Sequence, residues 1–232
     1  MTSVDLPRPD LSWRRLYLAG AVSALVYVVL VIVPVTLVFV APVPPTEGGA
    51  LLEYIAANKV VYLTELVSFV GLGVPALVVF AAVAVAVKDL DKSTAAIGGL
   101  FGVSSEIIAL ALGSSPQSLH GGLVVLSDAY AVAATDARRA SASSAADALI
   151  AATNAVSWAG ILTAAAILIL SLVMRRGIFG KAVAVFGIVT GLAGLVSEVF
   201  RPTIGPAYTI YGLLLPTWFV IVGWRLFRLA RQ

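Results

Sequence analysis

Residues 16–41 read LYLAGAVSALVYVVLVIVPVTLVFVA, 26 positions without a charged side chain. An α-helix crosses the hydrocarbon core of a bilayer with roughly 20 mostly apolar residues, so this stretch alone is long enough to span. Arg14 and Arg15 stand before it, as charges do at the start of a signal peptide. The apolar core of such a peptide runs to only about 7–15 residues, so the stretch is expected to stay as an anchor.

Five more stretches follow at 60–87, 94–113, 148–174, 182–200 and 207–226. Strands of a membrane barrel would alternate in polarity over about 10 residues between turns, and none of these does. The chain of 232 residues is 60% hydrophobic and 12% charged, with a mean hydropathy of +1.04. Soluble domains carry about 25% charged residues. The expected fold class is therefore all-α, a polytopic membrane protein of six transmembrane helices forming one domain over 1–232, with the lipid bilayer as its solvent.

Charge placement orients the spans. Arg8, Arg14 and Arg15 precede the first; Lys88 and Lys92 join the second to the third; Arg175, Arg176 and Lys181 join the fourth to the fifth; Arg225, Arg228 and Arg231 follow the sixth. The opposite side holds Lys59, Arg138, Arg139 and Arg201. By the positive-inside rule both termini are expected to be cytoplasmic, with the protein in the cell membrane. Because the basic residues cluster beside apolar stretches, they read as topology signals, and no nucleic acid partner is expected.

The two long outer connections differ. Pro42, Pro44 and Pro45 stop the first helix, and 51–58 reads as a helical turn entering the second span. The segment 114–147 is longer. Leu119, Leu123, Leu126, Tyr130 and Ala134 recur at helical spacing, which predicts an amphipathic helix. Thr135 then reads as an N-cap with Asp136 in the first turn, opening a helix that continues into the fourth span. Together they predict an extracytoplasmic helical cap over 114–147.

The run Tyr54-Ile55-Ala56-Ala57-Asn58, the segments Leu126-Ser127-Asp128-Ala129-Tyr130-Ala131 and Ala134-Thr135-Asp136-Ala137-Arg138-Arg139-Ala140, and the ending Gly223-Trp224-Arg225-Leu226 together resemble a prokaryotic multi-pass membrane family, the domain of unknown function numbered 4386. The resemblance covers nearly the whole chain. It implies a six-helix architecture and carries no activity.

Ionisable side chains inside a span are costly, turn toward protein, and are functional candidates by default. Glu65, Glu106 and Glu198 fall inside the second, third and fifth spans. At about 1.5 Å per residue they lie roughly 9, 10 and 5 Å within the outer boundary. Gly98, Gly102, Ser105, Glu106 and Ala109 share one helix face, as do Gly187, Gly191, Gly194, Glu198 and Arg201. Stripes of small residues let helices approach closely, within one chain or in a homo-oligomer. Thr64, Glu65 and Ser68 form a polar patch on the second span, Asn154 and Ser157 on the fourth, and Tyr208 and Tyr211 open the sixth. Residues 99–106 and 191–198 share Gly, Leu, Gly, Ser and Glu at matching places, as a parallel repeat of hairpins would.

Several chemistries have no residues to carry them. There is no cysteine and one histidine, His120, which leaves no thiolate metal site or disulfide. Gly102-Val103-Ser104-Ser105 lacks a histidine base on another span, no aspartate pair lies inside the spans, and no phosphate-binding Gly-x-x-x-x-Gly-Lys loop occurs. No catalytic residues, cofactor or metal are expected, His120 being at most a weak ligand. The function expected is a small transporter-like or ligand-binding bundle with an outward-facing acidic cavity, taking a proton or small cationic ligand at Glu65, Ser68, Ser105, Glu106, Asn154, Glu198 and Arg201. The alternatives are a structural or regulatory subunit that binds a protein partner through the outer cap, and, third, a metal-dependent membrane enzyme.

Overall fold

In lipid, each backbone N–H and C=O must find its partner within the segment, and the apolar stretches accordingly form helices. The computed structural model describes residues 10–115 and 119–232. Arg8 of the first basic cluster and positions 116–118 of the long connection lie outside the described residues. The helices are α1 (Arg14–Val40), α2 (Gly48–Ala57), α3 (Lys59–Gly71), α4 (Gly73–Val87), α5 (Lys92–Leu112), α6 (Gly121–Ala131), α7 (Asp136–Asn154), α8 (Trp158–Met174), α9 (Lys181–Val199), α10 (Arg201–Ile204) and α11 (Tyr208–Ala230). Among the described residues six helical stretches are long and apolar enough to cross a membrane: Leu11–Leu37, Lys59–Val87, Lys92–Leu112, Asp136–Met174, Lys181–Val199 and Arg201–Ala230. The chain is an all-α, multi-pass membrane protein.

Three of the six are interrupted, Arg201–Ala230 by the 3-10 turn Gly205–Ala207 between α10 and α11. Leu72 separates α3 from α4, where Pro75 has no N–H to offer the Gly71 carbonyl and the Leu72 N–H turns to the Phe69 carbonyl at 3.3 Å. Thr135 does cap α7, its hydroxyl accepting from the Arg138 N–H at 3.4 Å. The helix it opens, however, does not continue unbroken into the fourth span. Residues 155–157 leave the helix, Ala155 is extended, and Ser157 starts α8 by accepting from the Gly160 N–H at 3.1 Å. Ser157 is thus a cap and not part of a polar patch on a helix wall; its side chain competes for backbone N–H groups that helix continuation would use.

Contacts divide the chain into two units, one of residues 10–29, 73–108 and 156–232, the other of 30–72 and 109–155. In the first unit α8 and α9 pack closely across the short turn 175–180. Aromatic rings fill its centre: Tyr27 stacks on Phe219 at 3.8 Å, and Phe80 lies 5.9 Å from both Trp218 and Phe219. Both glycine stripes are filled from the same chain. Phe80 covers Gly102, Leu170 covers Gly98, Leu168 lies on Gly191, and Tyr211 on Gly194.

The second unit has a core of its own, with Leu51, Leu52 and Ile55 of α2, Tyr62 and Leu66 of α3, Leu123 of α6, and Ala146 and Ile150 of α7 all buried. Polar bonds tie its helices: Ser127 Oγ donates to the Leu52 carbonyl at 2.7 Å, Lys59 pairs with Asp128 at 2.7 Å, and Asp147 accepts the Gly48 N–H at 2.7 Å. The helix expected from Leu119 begins instead at Gly121. Leu119–His120 is extended and pairs antiparallel with Ser114–Ser115.

Candidate functional site

Three glutamates enter the spans, and their surroundings differ in kind. All three are buried in protein: Glu65 7%, Glu106 8% and Glu198 2% exposed.

Glu198, near the end of α9, has a cation and a hydroxyl beside it. The Arg201 guanidinium stands 2.7 Å from Oε2, and the Tyr208 hydroxyl donates to Oε1 at 2.8 Å while accepting from Arg201 Nη2 at 3.0 Å. Residues 198 and 201 meet because α10 keeps Arg201 in helical conformation after α9 ends at Val199. Pro202 costs nothing there, since the first helical positions have no intrahelical acceptor for an N–H. Gly160 on α8 leaves room for the carboxylate. The three-residue spacing thus brings the two charges together, and Glu198, Arg201 and Tyr208 form a triad. Tyr211, whose ring lies 6.1 Å from that of Tyr208, keeps a buried hydroxyl that finds no hydrogen-bond partner among the described residues.

Glu106, on α5, has no cation beside it among the described residues. Its Oε1 lies 3.3 Å from Ser105 Oγ and 3.3 Å from Thr163 Oγ1 of α8. Both hydroxyls already donate to backbone carbonyls, Ser105 to Gly102 at 2.7 Å and Thr163 to Ala159 at 3.1 Å. A hydroxyl has a single proton and two lone pairs. Each oxygen is better placed to accept from a protonated Glu106, or to share a cation with it, than to donate to a carboxylate.

Glu65 lies in the second unit. On α3 it shares a buried face with Ser68, and neither side chain makes a hydrogen bond or ion pair with another described residue. Thr64 is exposed and donates to the Val60 carbonyl at 2.8 Å, so it leaves the patch in which the spacing had put it. Tyr54 of α2 reports on the neighbourhood: burial first, and the Glu65 charge second, hold its hydroxyl pKa above the ordinary value.

Asn154 is exposed at the C-terminal end of α7, where the interruption at 155–157 leaves it. His120 caps α6, with Nδ1 accepting from the Gly122 N–H at 2.8 Å. No group of three His, Asp or Glu side chains among the described residues is arranged to hold a metal ion. Thr163 and Gly160 were not legible as site residues. Both sit inside the apolar run of α8, and a Thr in such a helix ordinarily bonds its own backbone. The chain matches no protein-family model, no curated protein and no solved structure.

Proposed function

We propose that the chain is a small ligand-binding, transporter-like membrane bundle in which Glu106 is the exchangeable group and a proton or small cation is the ligand. One observation carries this reading. Among the described residues Glu106 is buried with two hydroxyl contacts at 3.3 Å, both hydroxyls committed to carbonyls, whereas Glu198 is neutralised by Arg201 and accepts a bond from Tyr208. A carboxyl group in a membrane interior without a fixed counter-charge holds a proton or a cation, and its cost is tolerated where that exchange is used. Carboxylate, hydroxyl and backbone carbonyl oxygens are also the donor set that hard cations take. Glu65 and Ser68 form a second polar face of the same type, and Glu198 serves structure.

The positive-inside rule puts both termini in the cytoplasm and the glutamates in the outer half of the cell membrane. The resemblance to the six-helix family of unknown function adds architecture to this reading and no substrate.

The test is flux through the purified chain in sealed liposomes with a pH-sensitive dye or a monovalent-cation indicator inside. Glu106→Gln is expected to abolish flux while the melting temperature holds. Unchanged flux in that variant, or a wild-type chain as tight as empty liposomes, overturns the proposal.

A further inference from the structure

The end of the last helix carries a site of another kind. Arg225 and Arg228 lie three residues apart near the end of α11, which places them on one side, and Arg231 follows directly after the helix. With Trp224, Phe227 and Ile178 they line an open cleft of about 710 Å³, within the range of about 300–1,000 Å³ usual for small-ligand sites. The ion pairs among the described residues are Lys59 with Asp128, Lys88 with Asp10, and Arg201 with Glu198. No described carboxylate therefore neutralises the three guanidinium groups.

One of the three, Arg225, is partly buried and held at the cleft by packing. Arg225 lies against Gly180, the φ +85° residue that opens α9, where a Cβ would stand 3.4 Å from Nη2. Arg231 sits over the Phe227 ring at 5.3 Å. Arg228 and Arg231 are both exposed. A packed guanidinium loses less freedom on binding, and its planar donors match phosphate oxygens. The cleft adjoins the last turns of a membrane-length helix, and Trp224 at its rim is 60% exposed. An exposed indole at a helix end is the side chain that settles at headgroup level.

From this placement we infer that the cleft binds the phosphate group of an anionic membrane lipid, with the arginines on the phosphate and Trp224 and Phe227 against the glycerol and upper acyl region. This inference is independent of the reading of Glu106. A soluble phosphate ester shares the headgroup chemistry but has no apolar portion for Trp224 and Phe227 to cover, and lipid is favoured on that ground.

The experiment is native mass spectrometry of the full chain released from detergent micelles, with dioleoylphosphatidylglycerol, dioleoylphosphatidylcholine or glycerol phosphate added. The anionic lipid is expected to be retained at least about tenfold better than the zwitterionic one, and Arg225→Gln with Arg228→Gln is expected to remove that preference, the scale for two cationic side chains at a bilayer surface. Arg175→Gln with Arg176→Gln removes the same charge from exposed positions outside the cleft and is expected to leave the preference intact. Arg228→Gln alone, at an exposed side chain, gives an intermediate loss and guards against a folding defect in the pair. Equal retention of both lipids, equal loss in the two double variants, or glycerol phosphate binding as tightly as lipid each overturns the assignment.

Discussion

The Glu198 carboxylate occupies the space that a side chain on Gly160 would fill. The ion pair with Arg201 and the bond from Tyr208 thus depend on a residue on α8 that contributes no polar atom to them. In a helix Gly→Ala is ordinarily favourable by about 1 kcal/mol, but forcing atoms into a packed site costs about 1–3 kcal/mol. The steric term acts on a charged group with little room to retreat, so it wins. Gly160→Ala is expected to lower the melting temperature in detergent, and Glu198→Asp added to it, shortening the carboxylate arm, is expected to recover part of the loss. A variant at least as stable as wild type would show that the carboxylate can move aside.

The triad itself is expected to be strongly coupled. Taking away one partner of a buried ion pair leaves an uncompensated charge and costs about 3–5 kcal/mol. Arg201→Gln should approach that figure, since the Arg201 side chain is 12% and the Glu198 side chain 2% exposed. Glu198→Gln together with Arg201→Gln leaves no charge stranded, and the double variant is expected to be more stable than Arg201→Gln alone. Denaturant unfolding of the four proteins of the cycle measures this, and simple additivity would refute it.

A second pair lies at the start of α1. Asp10 accepts from Ser12 Oγ at 2.6 Å, the Ser12 N–H at 3.0 Å and Lys88 Nζ at 3.0 Å. The Ser12 hydroxyl first, then Lys88, pull the Asp10 pKa down from 3.8 to about 2. A carboxyl whose pKa is lower folded than unfolded binds fewer protons in the folded chain. Its contribution to stability is therefore present above the ordinary carboxyl range and is lost as pH falls through about 2. Lys88→Ala is expected to move the Asp10 midpoint upward, as read from the side-chain carboxyl signal of isotope-labelled aspartate in micelles. An unmoved midpoint would show that Ser12 acts alone.

Much of this architecture was readable because lipid enforces it. The apolar runs had to be helices, and Thr135, Glu198 with Arg201, and the glycine faces behaved as their spacing implied. The interruption at 155–157, which leaves Asn154 exposed, was hidden, because an apolar run such as 158–174 of α8 looks alike on every side and carries little periodic signal. For the same reason Thr163 could not be assigned a direction, and neither could Gly160. The ladder of Ser114–Ser115 with Leu119–His120 was also missed. Two-residue strands have no alternation to detect, and the pattern beginning at Leu119 also suits the first turn of a helix.

Glu65 offers the clearest separation of activity from stability. Unlike Glu198, it has no hydrogen bond or ion pair with a described residue, and it is 7% exposed. Glu65→Gln therefore removes no hydrogen bond or ion pair to a described residue. If the carboxylate is charged, the substitution also relieves the penalty of a buried group without partners, about 1–3 kcal/mol. Stability is expected to stay level or rise by up to that amount, while Glu198→Gln lowers it. Sites that bind a ligand commonly sacrifice stability in this way, so flux or ligand occupancy should fall in Glu65→Gln even as the melting temperature holds or climbs. Parallel melting curves and liposome flux for the two variants measure both quantities. A Glu65→Gln chain that loses stability as Glu198→Gln does would make Glu65 a structural residue.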